Sequence, residues 1–102
     1  MQLSFSAIVI LLTFGVNPAT ADKHHDLLCV KAMPDNNSVE LNDATRCACD
    51  FLKSHEKCSD CTIMENRFCH SDGRNLDGDD FEDACVRKCL DFGATGSSIP
   101  PH

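Results

Sequence analysis

Apolar and polar positions divide this chain sharply. Leu3 to Val16 is a nearly uncharged apolar run, LSFSAIVILLTFGV, and every lysine, arginine, aspartate and glutamate lies beyond it. The run is too short for a membrane span. Behind it come Pro18 and the small residues Ala19 and Ala21, at the minus-three and minus-one positions of an A-x-A cleavage site, and then DKHHD. This layout predicts a secretory signal over residues 1–21, cleaved after Ala21, although its first residues carry no lysine or arginine.

Past the signal, DKHHDLLCVKAMPDNNS reads as an extended or irregular lead: Leu27, Leu28 and Val30 surround Cys29, and the turn cluster PDNNS closes it. From Leu41 the period becomes helical. Leu41, Ala44, Ala48, Phe51 and Leu52 fall on one face, with Asn42 as N-cap candidate and Asp43 in the first turn. A second short helix is expected from Ser59, its stripe formed by Cys61, Met64 and Phe68. A third is expected from Asp79, with Glu82 in a capping-box position and Phe81, Ala84, Cys85, Lys88, Cys89 and Phe92 at three- and four-residue steps. Gly93 supplies its stop.

The pattern thus predicts a signal over 1–21, one disulfide-stabilised domain over 22–93 and a flexible tail over 94–102. The fold class expected is small, disulfide-rich and mainly α: about three short helices held by up to four disulfides, with room for a short extended segment or hairpin.

Composition sharpens this. Large apolar residues are sparse in the mature chain, and tryptophan and tyrosine are absent, so the core needs cross-links. All eight cysteines follow the signal: Cys29, Cys47, Cys49, Cys58, Cys61, Cys69, Cys85 and Cys89. An even count in a short secreted chain reads as a disulfide framework. Cys58-x-x-Cys61 has the spacing of a zinc half-site, but zinc sites usually show two such pairs and this chain has one. His70 is then expected in an exposed loop. Two connectivities compete. If 47–49 is extended, Cys47 and Cys49 share a face and can both bond Cys85 and Cys89, one helical turn apart, leaving Cys29, Cys58, Cys61 and Cys69 to pair among themselves. If 42–55 is helical, as its apolar stripe favours, Cys47 and Cys49 go to different partners.

The net charge of −7 repels phosphate and anionic lipid, which excludes nucleic acid as a partner and argues against a cationic membrane-disrupting peptide. Asn36-Asn37-Ser38 is a glycosylation sequon in a loop, so Asn36 is a candidate for modification. Catalytic and metal sites are not expected. DGRNLDGDDFED places Gly73 and Ala84 where an EF-hand needs its end ligands, leaving a solvated acidic loop. His25-Asp26 before Cys29 resembles the histidine and aspartate of secreted phospholipases A2, but no glycine-rich calcium loop precedes it, and a flexible terminal segment is expected instead. No nucleophile with its own base stands out. The chain is therefore read as a non-enzyme without cofactor.

The signal ending NPATA before DKHHD, and the cysteines spaced from Cys29 to Cys89, resemble the small secreted cysteine-rich effectors of plant-associated fungi. In length and layout the chain is similar to the biotrophy-associated secreted proteins of the blast fungus. It lacks the adjacent cysteine doublets of hydrophobins and the cysteine pattern of the haem-binding CFEM domain. The resemblance implies a secreted, extracellular virulence effector in the host apoplast or the interfacial matrix around hyphae. Its partner would be a host extracellular protein or a wall or matrix component, met as a monomer with no membrane span in the mature form. A protease inhibitor or small toxin presenting the 71–80 loop is the alternative.

Overall fold

The computed structural model describes residues 23–101; the signal expected over 1–21 lies outside the described residues. The hub is β2 (Asp26–Ala32), which pairs antiparallel with three other strands. These are β3 (Ser38–Glu40), β5 (Phe68–His70) and the C-terminal β7 (Gly96–Ser98), while β4 (Thr62–Met64) extends the sheet beyond β5. A two-stranded sheet joins β1 (Lys23–His24) to β6 (Leu76–Asp77). Helix α1 (Asn42–Ser54) buries Ala44, Thr45, Ala48, Cys49 and Leu52. Helix α2 (Gly78–Asp83) continues into a π-helical stretch, Ala84–Lys88, and a 3-10 turn, Leu90–Phe92. Phe81, Leu27, Leu52 and Leu76 pack with the cysteines as the core. Among the described residues no helix is long and apolar enough to cross a membrane.

The mainly α expectation is overturned: the described residues form a mixed fold with two sheets and two α-helices. The second expected helix is a hairpin, β4–β5, in the register Met64↔Phe68. Its supposed stripe is not a face, since Cys61 and Phe68 are buried while Met64 is 40% exposed. The turn runs through Glu65 and Asn66, both at positive φ (56° and 54°), with the Arg67 amide donating to the Met64 carbonyl at 3.0 Å. Such turns usually announce themselves as Asn-Gly or Asp-Gly, and Glu-Asn hides the signal. The Arg46 guanidinium donates to the Asn66 side chain and anchors the turn to α1.

The third expected helix breaks into three kinds of turn. Its cap is Asp77, whose carboxylate accepts from the Asp80 amide at 3.0 Å, two residues earlier than the Asp79 expected. Glu82 instead faces the Ser97 hydroxyl at 3.4 Å. The Cys89 amide donates to the Ala84 carbonyl at 2.9 Å, the wide bond of a π-turn, and Gly93 closes the run in the left-handed region at φ 86°. In α1 the helix is entered from Leu41 and Asn42 is its first residue, so no side chain caps it.

The expected flexible tail is also corrected. Ala94 and Pro100 are buried, β7 pairs Leu28↔Ser98, and the Thr95 hydroxyl accepts from the Ala32 amide at 2.8 Å. Short side chains over 94–98 carry little apolar signal, yet their backbone completes an edge of β2.

Candidate interaction surface

Eight cysteines form four bridges and none is free: Cys29–Cys85, Cys47–Cys89, Cys49–Cys69 and Cys58–Cys61. The helical reading of 42–55 holds. Cys47 and Cys49 sit on different sides of α1, one reaching Cys89 just past the π-stretch and the other β5, so the paired staple to both Cys85 and Cys89 is not formed. The Sγ atoms of Cys49, Cys61 and Cys69 lie within 4.8 Å of one another, so two bridges stack where a zinc site would otherwise gather its thiolates. The C-x-x-C pair is bonded to itself.

Residue Cys29 also organises the backbone. Its carbonyl accepts from the Leu41 amide at 2.9 Å, and its amide donates to the Thr45 hydroxyl at 2.8 Å. That hydroxyl donates in turn to the Leu41 carbonyl at 2.9 Å. Thr45 is 1% exposed, so α1 satisfies a buried donor of β2 that lacks a strand partner. Sequence gave no sign of this, because a threonine inside a helix reads as neutral filler.

Lys23–His24 and Asp26 are strand, not a flexible terminus, and His70 is half-buried on β5, not in an open loop. His70 does not pair with a nucleophile. Its Nδ1 lies 2.5 Å from Asp26 and its Nε2 2.7 Å from Asp72. Hydrogen bonds to the two carboxylates, Asp26 first, hold its pKa above the ordinary histidine value. His25 stacks on it at 6.3 Å and donates from Nδ1 to the Ser71 carbonyl at 3.0 Å. The histidine and aspartate of the phospholipase comparison are thus spent on clasping β2 to β5 and the following loop.

The 71–80 loop is drawn in at its base. Asp60 accepts from the Ser71 hydroxyl at 2.6 Å, the Gly73 amide at 2.9 Å and the Asn75 amide group at 3.1 Å. These donors, the Ser71 hydroxyl first, lower its carboxyl pKa to about 2. Asp77 caps α2, and Asp79 and Asp80 lie in its first turn, where acidic side chains favour the helix dipole.

Large apolar side chains are exposed singly at Met64 and Ile99 and in company at two places, each beside an open depression. One is the β2–β3 arm, where every residue from 31 to 40 is exposed and Met33, Pro34, Asp35, Asn37 and Val39 line an open depression of about 540 Å³. Asn36, the sequon residue, stands at the tip of that arm with φ 70°. The other is the C-terminal turn, where Leu90 is 67% and Phe92 46% exposed. Phe92 lines a depression of about 420 Å³ with Glu40, Leu41, Asn42, Asp43 and Ala44 at the start of α1. Sequence reading placed Phe92 on a buried stripe, a misjudgement that follows from taking 79–92 as one continuous helix.

Among known proteins, a family described as biotrophy-associated secreted protein 4 matches residues 22–97. A relative of that description from Pyricularia oryzae is 70% identical over 101 residues, covering 99% of each chain. No solved structure matches. The resemblance drawn from the signal and cysteine layout is borne out.

Proposed function

The chain belongs to the biotrophy-associated secreted protein 4 family, a family of secreted proteins, and from that premise we propose that it is an effector acting by binding, without catalysis, where fungus and plant meet during infection. Its setting is the host apoplast or the matrix around hyphae. The observation that carries the reading is an exposed apolar pair on a cross-linked base. Leu90 and Phe92 follow directly on Cys89, whose bridge to Cys47 ties them to α1. Side chains presented from such a base lose little freedom on docking, so more of their burial is available as affinity. Glu40 and Asp43 lie around Phe92, and the chain carries −7, which favours a partner with a basic surface: a host extracellular protein or a wall or matrix component.

The test is a Leu90→Ser, Phe92→Ser double variant, which keeps every cysteine. Its binding to basic proteins or wall material from plant apoplastic fluid should fall roughly tenfold or more, the size of losing one good anchor. Unchanged binding would place the contact elsewhere and sink this reading of the face. An inhibitor is the second reading, favoured by the exposed tip Asp72–Asn75, which Asp60 holds in shape through Gly73 and Asn75. It requires inhibition of a secreted plant protease that disappears when the tip is exchanged for glycine and serine.

A further inference from the structure

We propose that Asn36 carries an N-linked glycan whose first sugar lies over the apolar depression formed by Met33, Pro34 and Val39. Three independent features meet at this arm. Asn36-Asn37-Ser38 supplies the acceptor amide and the hydroxyl two residues on. The tip then presents the right asparagine: the Asn37 side chain donates to Asp35 at 3.0 Å, whereas no hydrogen bond among the described residues holds the Asn36 side chain or the Ser38 hydroxyl, and all three residues are exposed. Asn36 sits in the left-handed region at φ 70°, held there by the Met33–Asn37 backbone pair at 2.8 Å, which turns it outward at the apex.

The third feature is the depression itself. Its lining residues, Met33, Pro34, Asp35, Asn37 and Val39, all lie within three positions of Asn36, so a sugar attached there reaches it without any change of backbone. Met33 is 38% and Val39 46% exposed on an arm whose every residue from 31 to 40 is exposed. Apolar surface of this kind on a free-standing arm calls for an occupant. The C–H face of a pyranose ring suits it, with Asp35 and Asn37 at hand for the ring's hydroxyl and acetamido groups. The modification is a group transfer in the secretory pathway from a lipid-pyrophosphate-linked oligosaccharide. Asn36 Nδ2 bonds to C1 of the terminal N-acetylglucosamine, the C1–O bond to pyrophosphate breaks, the lipid pyrophosphate leaves, and the amide proton passes to a base of the transferase.

The experiment uses the full chain secreted from a fungal or yeast host that glycosylates a control sequon. Intact mass before and after peptide-N-glycosidase treatment should show one glycan on the wild-type protein and none on Ser38→Ala, which leaves Asn36 in place; Ser38→Thr should retain it. Wild-type protein without a glycan, or Ser38→Ala with one, overturns the site. Seating is read from hydrogen peroxide oxidation followed by peptide mapping, with Met64, 40% exposed on the other hairpin, as internal reference. The glycosylated protein should oxidise Met33 several-fold more slowly, relative to Met64, than the Ser38→Ala protein. Equal ratios would overturn the contact between sugar and depression.

Discussion

Within a few residues, β2 passes from one kind of structure to another. Leu27, Leu28 and Cys29 are at most 1% exposed, and Cys29 is bridged to the π-stretch; from Lys31 onward the strand runs out into an arm on which every residue to Glu40 is exposed and no cysteine stands. The inner half is cross-linked and packed against α1. The arm is held by its own β2–β3 pairing, the Thr95 hydroxyl and one ion pair. A small domain can afford such an arm because its bridges gather on the other side, where they close the longest stretches of chain.

The largest effect should come from breaking that inner half. Cys29–Cys85 spans a sequence separation of 56 and Cys58–Cys61 one of 3. In loop-entropy terms their removal costs about 4 and about 2 kcal/mol respectively. Urea unfolding of the Cys29→Ala, Cys85→Ala protein should therefore show much the greater loss, up to failure to fold. A Cys58→Ala, Cys61→Ala protein losing more would mean that the stacked bridges, and not chain closure, dominate the core.

Next comes the hydroxyl that ties the inner half of β2 to α1. Thr45→Val keeps the shape but removes the acceptor of the Cys29 amide, leaving a buried donor unpaired. The expected cost is about 1–3 kcal/mol, read by urea unfolding at constant slope. A loss near zero would show that water reaches this amide.

What the sequence announced and what it concealed follow the same division. The helical stripe of 41–52, the disulfide framework and the PDNNS turn were legible because each rests on local spacing. The hairpin 62–70 was not, because Cys61, Met64 and Phe68 mimic a helical stripe and the turn lacks glycine. Strand β7 was not, because Gly96, Ser97 and Ser98 contribute only backbone to an edge that Val30 and Leu28 create. The exposure of Leu90 and Phe92 depended on a π-turn forming between Cys85 and Cys89, which both bridge elsewhere, a tertiary constraint that no local pattern carries. His70 was legible as a residue but not as a clasp, since Asp26 lies 44 positions away.

That clasp gives the inner half a pH dependence opposite in sense to the arm's, where the Arg67 hydrogen bond lowers the Glu40 carboxyl pKa. His70 has a folded-state pKa raised above 6.5, so its contribution is complete below 6.5 and is lost as pH rises through the raised value. Asp60 has the opposite sense: lowered from 3.8 to about 2, it contributes above 3.8 and loses that contribution as pH falls toward 2. Stability should therefore be greatest in mildly acid solution, between these limits. His70→Gln should remove the decline that sets in as pH rises through the raised His70 value, worth about 1 kcal/mol for a partly exposed charged cluster. An unaltered pH profile would assign that decline to other groups.

The smallest effect belongs to the arm. Arg67 donates from Nε and Nη2 to the two Glu40 oxygens at 2.8 and 2.7 Å, a two-pronged pair joining the end of β3 to the β4–β5 turn. It lies at the surface, with about a third of each side chain exposed. Glu40→Gln should cost only about 0.2–1 kcal/mol of global stability, because exposed pairs gain little against water and chain freedom. Local opening is another matter, since the arm has few other ties and can open without disturbing the bridged core. Limited proteolysis of unglycosylated protein should cut Glu40→Gln faster within 31–40 while the disulfide-bonded remainder stays intact. Equal cutting rates would mean that strand pairing and Thr95 hold the arm by themselves; faster cutting together with a large global loss would mean that arm and core unfold as one unit, and the division between them would fail.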